Sequence, residues 1–287
     1  MNTQDAEYYF NRGNSKAKLL DDQGASEDFT KVLEILPNHS GAYFNRGNAK
    51  FNIDDFKGAI DDFSSTISIQ PLHPDAFAHR GNAKHKLHDS AGAIIDLTAA
   101  IDINPNDAYY YFSRGLVKRD INDYTGAFED FSSTIWNDPF HKDAYHNRGK
   151  TRSFMNDNLG AIVDFSMVIQ INPKAAGAYY WRGLSKGLLN NDLEAIEDFS
   201  KAIEIKPKYA AAFHKRGTCK ARLTDYLGAI IDFNSAIENN PTSAESYTYR
   251  GYAKIRLGQN ESARLDFIKA IELGDAKASD MMMKFCQ

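Results

Sequence analysis

Arginine and aspartate recur in this chain at a spacing that suits ion pairing. Arg12, Arg46, Arg80, Arg114, Arg148, Arg182, Arg216 and Arg250 are each followed by glycine. Sixteen residues after each arginine stands an aspartate: Asp28, Asp62, Asp96, Asp130, Asp164, Asp198, Asp232 and Asp266. A guanidinium is a planar fork of donors that matches a carboxylate, and a charge held beside apolar positions needs such a partner. The expected product is one Arg–Asp pair per copy, within a repeat or across to its neighbour. A basic stripe for phosphate is the alternative. Such pairs fix register more than they add net stability.

A second set of residues suits recognition of a peptide. Phe10, Phe44 and Phe112 share one recurring position, Asn14, Asn48 and Asn82 a second, and Asn11, Asn45 and Asn147 a third. Asparagine is a poor helix former, so its repetition on a helical face invites explanation. Its amide both donates and accepts, and can pair with a peptide backbone whatever the side chains; the phenyl rings would then bury the ligand's apolar groups. The competing reading is a solvated face of ordinary repeat sequence. Further on, Tyr180, Trp181 and Leu184 cluster, as do Tyr249 and Tyr252. Aromatic clusters are common at interaction hot spots, with contact between neighbouring helices as the alternative. Trp136, with Phe140 nearby, suits a second contact on the outer face, with a crystal or dimer contact as the alternative.

Groups for catalysis or metal binding do not assemble in the sequence. His85 and His88 are three apart, a spacing that can hold a transition metal, but no cysteine or carboxylate set accompanies them. His39, His73 and His141 share one repeat position and read as surface histidines. No glycine-rich phosphate loop, His-Glu-x-x-His or nucleophile elbow occurs. No catalytic residue, metal or cofactor is expected. Cys219 and Cys286 are the only cysteines, one inside a repeat and one in the tail, so no disulfide framework is expected.

The elements that position these groups follow from a period. Each Arg-Gly lies 34 residues after the last, without insertion or deletion over eight copies, the mark of a stacked-repeat protein. The repeats run 6–39, 40–73, 74–107, 108–141, 142–175, 176–209, 210–243 and 244–277, and residues 1–287 read as one continuous array. Numbered within the repeat, position 4 is always Tyr or Phe, 8 Gly, 20 Ala, 24 Phe (Leu97 in the third copy) and 28 Leu or Ile. Spacings of four in each half match one face of a helix. Asp55, Asp89, Asp123, Asp157 and Asp225 at position 16 suit N-caps of the second helix. Proline at position 32, from Pro37 to Pro241, ends it. The tail, with Met281 to Met283, predicts a capping helix over 278–287, with a docking surface as the alternative.

This pattern resembles the tetratricopeptide repeat family over about 95% of the chain. The resemblance implies an all-α fold, a right-handed superhelical solenoid of eight helix-turn-helix repeats with a C-terminal cap. Two departures stand out: the family usually has Leu before the Gly and Tyr three residues after it, where this chain has Arg and then Lys (Arg152 in the fifth copy), and the last repeat has Asp275 in place of its Pro. By resemblance, the first helices line a concave groove with positions 2, 5, 6, 9, 12 and 13, and that groove is the binding surface. Phe10, Asn11, Asn14, Phe44, Asn45, Asn48, Asn82, Phe112, Asn147, Tyr180 and Trp181 are the candidate peptide-binding residues. An asparagine ladder of this kind resembles that of O-linked N-acetylglucosamine transferases. The clamp of heat-shock co-chaperones is absent, because position 2 is never basic and Lys215 stands alone at position 6.

Charge narrows the partner. The net charge is −4 and the pI about 6.1. Setting the sixteen ladder cations and eight ladder aspartates apart from 34 basic and 38 acidic residues leaves 18 against 30. An acidic free surface argues against nucleic acid and anionic membrane. The N-terminus shows no apolar signal segment, so the expectation is a cytoplasmic, non-catalytic scaffold for a protein or peptide partner. A homo-oligomer associating through aromatic faces is the alternative.

Overall fold

The computed structural model describes residues 3–285 and is all-α. Among the described residues there are seventeen helices, two per repeat and one to close. The first helices are α1 (Thr3–Lys18), α3 (Ser40–Asn52), α5 (Pro74–Lys86), α7 (Ala108–Asp120), α9 (Lys142–Phe154), α11 (Ala176–Leu188), α13 (Ala210–Arg222) and α15 (Ala244–Arg256). Their partners are α2 (Asp22–Ile35), α4 (Phe56–Ile69), α6 (Ser90–Ile103), α8 (Tyr124–Asn137), α10 (Asn158–Ile171), α12 (Asp192–Ile205), α14 (Tyr226–Asn239) and α16 (Asn260–Glu272), followed by α17 (Ala276–Phe285). The helices fall into two compact units, Met1–Ala144 and Tyr145–Gln287. Cys286 lies outside the described residues.

Each hairpin is closed by a local device. The carboxylates of Asp21, Asp55, Asp89, Asp123, Asp157 and Asp225 accept from the backbone N–H of Gly24, Gly58, Gly92, Gly126, Gly160 and Gly228 at 2.9–3.0 Å. Asp21 joins the five expected caps. The glycine makes room for the cap, since a Cβ at Gly58 would lie 2.2 Å from the Asp55 carboxylate. Where Asn191 or Gln259 replaces the aspartate, the glycine is also gone (Glu194, Ser262) and no side-chain cap bond forms. The residue before the cap is left-handed: Leu20, Asp54, His88, Asn122, Asn156, Asn190 and Thr224 all have φ of 62–65°. Only Gly258, at the eighth copy, occupies this place without a Cβ.

Packing between the two helices rests on one contact. Phe29, Phe63, Phe131, Phe165, Phe199, Phe233 and Phe267 are essentially inaccessible to solvent, and each faces the repeat glycine of the first helix. A Cβ on Gly47 would come within 2.7 Å of the Phe63 ring. Glycine in a helix costs about 1 kcal/mol against alanine; here it admits a ring whose burial returns roughly 2–3 kcal/mol. Where Leu97 replaces the phenylalanine, a Cβ on Gly81 would lie 3.0 Å from both the Leu97 side chain and the Ala93 carbonyl.

The arginine ladder forms within repeats. Arg46 Nε and Nη2 donate to the two oxygens of Asp62 at 2.9 and 2.6 Å, and Lys50 adds a contact at 2.8 Å. The same three-membered node recurs in all eight copies, with Arg152 in the lysine's place in the fifth. The aspartates are buried, whereas the cations reach partly to solvent. Hydrogen bonds from Arg12 hold the Asp28 carboxyl below the ordinary carboxylate range, against desolvation. Each guanidinium also lies over the aromatic ring three residues before it, as Arg46 does over Tyr43 at 5.5 Å.

The remaining N–H of the arginine ties one repeat to the one before. Arg46, Arg80 and Arg114 Nη1 donate to Thr30, Ser64 and Thr98 at 2.9–3.1 Å. In the second unit Arg182, Arg216 and Arg250 reach Ser166, Ser200 and Asn234. So the ladder runs both within a repeat, through aspartate, and across to its neighbour, through a hydroxyl or amide. The closing helix α17 packs on α15 and α16. Met281 and Met282 turn toward Phe267 and Ala270, while Met283 is exposed.

Two outcomes follow for stability. Asp130→Ala strands two cations and is expected to cost about 3–5 kcal/mol, while Arg114→Ala costs less because Lys118 stays on Asp130 at 2.9 Å. Urea unfolding that ranks these two in the opposite order overturns that account of the node. Thr224→Gly relieves a left-handed β-branched residue and is expected to gain up to about 1 kcal/mol, read as a raised urea midpoint.

Candidate functional site

In the first unit, α1 and α3 bring the asparagines together. Asn45 Nδ2 donates to Asn14 Oδ1 at 2.8 Å, and Asn52 Nδ2 donates to Asp22 Oδ1 at 3.1 Å. With Lys18 and Asn48 they line a cleft of about 360 Å³ whose lining also includes Ala17 and the buried Ala49 and Phe29. Asn48 Oδ1 is buried there and accepts no hydrogen bond. A buried carbonyl without a donor costs roughly 1–3 kcal/mol. Asn48 itself is one of the residues that line the cleft. Asn11, also on α1, is exposed and takes no part in this set.

The phenylalanines at position 5 do different work. Phe10 packs on Phe29 and His39 with ring centres 5.8 and 4.9 Å apart. Phe44 repeats this with Phe63 and His73, and Phe112 with Phe131 and His141. These rings are half-buried. The three histidines are helix caps, their Nδ1 atoms accepting from the N–H groups of Ala42, Ala76 and Ala144 at 3.0–3.2 Å. The signal was in the sequence: Phe at position 5 and His at position 34 occur together in repeats one, two and four, and both are absent from repeat three.

A second cleft in this unit, about 390 Å³, lies between α5 and α7 and is lined by Asn82, His85, Tyr109, Phe112 and Asp120 among others. Asn82 donates to the Tyr109 hydroxyl at 2.7 Å, and His85 Nε2 lies 3.2 Å from Asp120. His88 is exposed on the left-handed turn. Among the described residues no three His, Cys, Asp or Glu side chains converge as a metal site. Trp136 and Phe140 are 86% and 80% exposed, the most exposed aromatic pair on the unit.

In the second unit the aromatic cluster is mostly occupied by its neighbours. Trp181 stacks on Phe165, meets Phe154 edge-on, and carries the Lys150 ammonium 5.2 Å above its ring. Tyr180 lies between Phe199 and Tyr209, and burial pushes the Tyr209 hydroxyl up to about 12. Both Tyr180 and Trp181 are half-buried. Tyr249 and Tyr252 border a cleft of about 310 Å³ with Glu245, Thr248, Asp275, Lys277 and Met281. Asn147 sits half-buried on α9, its carbonyl accepting from Thr151 at 2.8 Å. Cys219 is buried beside Arg222 and Asp192, and desolvation raises its thiol to about 11, far from a reactive thiolate.

Comparison with known proteins agrees with this architecture. Models of the tetratricopeptide repeat match residues 176–209 and 233–264. The chain is a tetratricopeptide repeat protein. Solved structures superpose on it, among them two described as TPR proteins. A repeat protein from Cytophaga hutchinsonii, 17% identical, has a TM-score of 0.69 and covers 83% of this chain and 98% of its own. MamA, 25% identical, scores 0.54 over 57% of this chain and 96% of its own. YrrB, described as a TPR protein with an unusual peptide-binding site, is 20% identical and scores 0.57 over 66% and 97%. Among proteins of curated function none matches the sequence. No helix among the described residues is long and apolar enough to cross a membrane.

This tetratricopeptide array contains one sharply perturbed histidine. His214 is 7% exposed, its ring against Phe233 and Tyr249 and its Nδ1 3.0 Å from Ser246 Oγ. Burial, with help from Lys215 and opposed by Glu245, pushes it down to about 4. The unfolded chain, with histidine near 6.5, takes up this proton first as pH falls. The stability held by neutral His214 is therefore complete above about pH 6.5 and is lost between there and pH 4, on the order of 3 kcal/mol. His214→Phe, the residue other repeats carry, is expected to flatten that part of the urea-midpoint profile.

Proposed function

We propose that this protein is a non-catalytic scaffold that holds an extended peptide segment of a protein partner along its first helices. The asparagine cleft of repeats one and two is the principal seat. The observation that carries this reading is the buried, unpaired Asn48 Oδ1 beside the Asn14–Asn45 pair. A peptide backbone N–H supplies the donor that Asn48 lacks, and its carbonyl can accept from neighbouring amides. Ala17, Ala49 and Phe29 leave the space for an apolar side chain beside them. A protein of the same fold, YrrB, is described as peptide-binding, which makes this use of the architecture familiar.

The reading takes residues 1–287 as one repeat array, working in the cytoplasm without cofactor, nucleic acid or membrane. Phe10, Phe44 and Phe112 then act as walls fixed by their histidine caps, while Asn11, Asn82, Asn147, Tyr180 and Trp181 offer a partner only the parts of their side chains that neighbouring residues leave uncovered. Recognition through backbone amides is tolerant of side chains, so affinity comes from several weak bonds of about 1 kcal/mol each.

The test is a selection of binders from a random-peptide display library, with titration of the winners against variants. Asn14→Ala/Asn48→Ala is expected to weaken them about tenfold or more, the loss of one or two such bonds. Selected peptides that bind the double variant as well as the native chain overturn the reading.

A further inference from the structure

The second helices of repeats five to eight carry an apolar face that the fold does not use. Positions 18 and 22 are four apart on the second helix, on the side away from the core alanine and phenylalanine of positions 20 and 24. In the second unit they hold Leu159, Val163, Leu193, Leu227, Ile231 and Leu265, each 60–70% exposed. Only Glu197 and Glu261 interrupt the set.

The repeats supply their own control. In repeats one to four the same eight positions hold Gln23, Glu27, Lys57, Asp61, Ala91, Ile95, Thr125 and Glu129. Those hairpins have the same ion node, and all but the third, which carries Leu97, have the same Phe–Gly core contact. The architecture therefore places no demand for large aliphatic groups at these positions. Six of them on four successive repeats exceed the scattered apolar residues that any surface carries, and such patches mark interaction sites.

We propose that this face pairs with the same face of a second copy of the chain, about a two-fold axis. Three observations favour that occupant. The aliphatic knobs recur at the repeat spacing, so a surface with the same spacing can engage all of them together, and the chain itself carries one. Their exposed area is on the order of 700 Å², close to the roughly 800 Å² that each partner gives to a standard interface. A two-fold axis sets repeat five against eight and six against seven, an isologous arrangement in which neither Glu197 nor Glu261 meets its own copy. Glu194, Glu197 and Glu261 beside the face oppose an anionic lipid surface. Nothing in this pairing depends on the asparagine cleft, which lies in other repeats.

Sedimentation velocity of the full chain over a hundredfold range of concentration tests the proposal. The native protein is expected to pass from monomer to dimer and stop there. Leu193→Glu/Leu227→Glu is expected to weaken dimerisation at least tenfold with an unchanged circular-dichroism melt. Leu159→Lys/Leu265→Lys gives a second reading at the ends of the face should the first variant unfold. Lys57→Glu, at position 18 of repeat two, is expected to leave the equilibrium unaltered. A native chain that is monomeric throughout, growth beyond the dimer, or a dimer indifferent to both aliphatic variants overturns the proposal.

Discussion

A buried aspartate held by two cations is the interaction on which each repeat depends. Asp62 is nearly inaccessible, so its charge is tolerable only because Arg46 and Lys50 both reach it. The arginine then has one N–H left, and that N–H goes to Thr30 of the preceding hairpin. Intramolecular pairing and inter-repeat stacking are thereby coupled through one side chain. A hairpin displaced from its neighbour loses the hydroxyl acceptor, and a helix rotated within its hairpin loses the bidentate fork. Where the family usually carries Leu and Tyr around the repeat glycine, this chain has replaced apolar adhesion with geometry. Apolar surfaces slide at small cost, whereas a forked ion pair does not, and register is what a stack of near-identical units most needs.

The same economy governs the aromatic residues. The ring at position 4 lies under the guanidinium, the ring at position 24 fills the space left by glycine, and the ring at position 5 is clamped by a histidine that is itself a helix cap. Few aromatic groups remain free. Trp181 illustrates the consequence: read from the chain it resembles a hot spot, yet Phe165, Phe154 and Lys150 already take its faces. Among the groups left with unspent chemistry are the Asn48 carbonyl in the first unit and the aliphatic side chains on the second helices of the second. They are of opposite character, one a buried acceptor and the other exposed hydrocarbon, and they suit different partners.

Much of this protein is determined by sequence alone. Thirty-four-residue periodicity with Gly, Ala, Phe and Pro in phase yields the hairpins, their order and five of their caps, and it points to Arg–Asp pairing while leaving open whether a pair closes within a repeat or across to its neighbour. Copying the pattern eight times makes it unmistakable. Even the Phe–His couple was legible as a co-occurrence, although its geometry was not. Tertiary structure decided which groups had acceptors and donors left over. Asn14 and Asn45 belong to successive repeats and read alike with Asn48, yet packing pairs the first two and strands the third. The burial of Phe10, the stacking of Trp181 and the depressed His214 likewise depend on side chains contributed by a neighbouring helix. Periodicity describes what all repeats share; hydrogen-bond satisfaction and exposure depend on the differences between neighbours, and those are settled only when the helices meet.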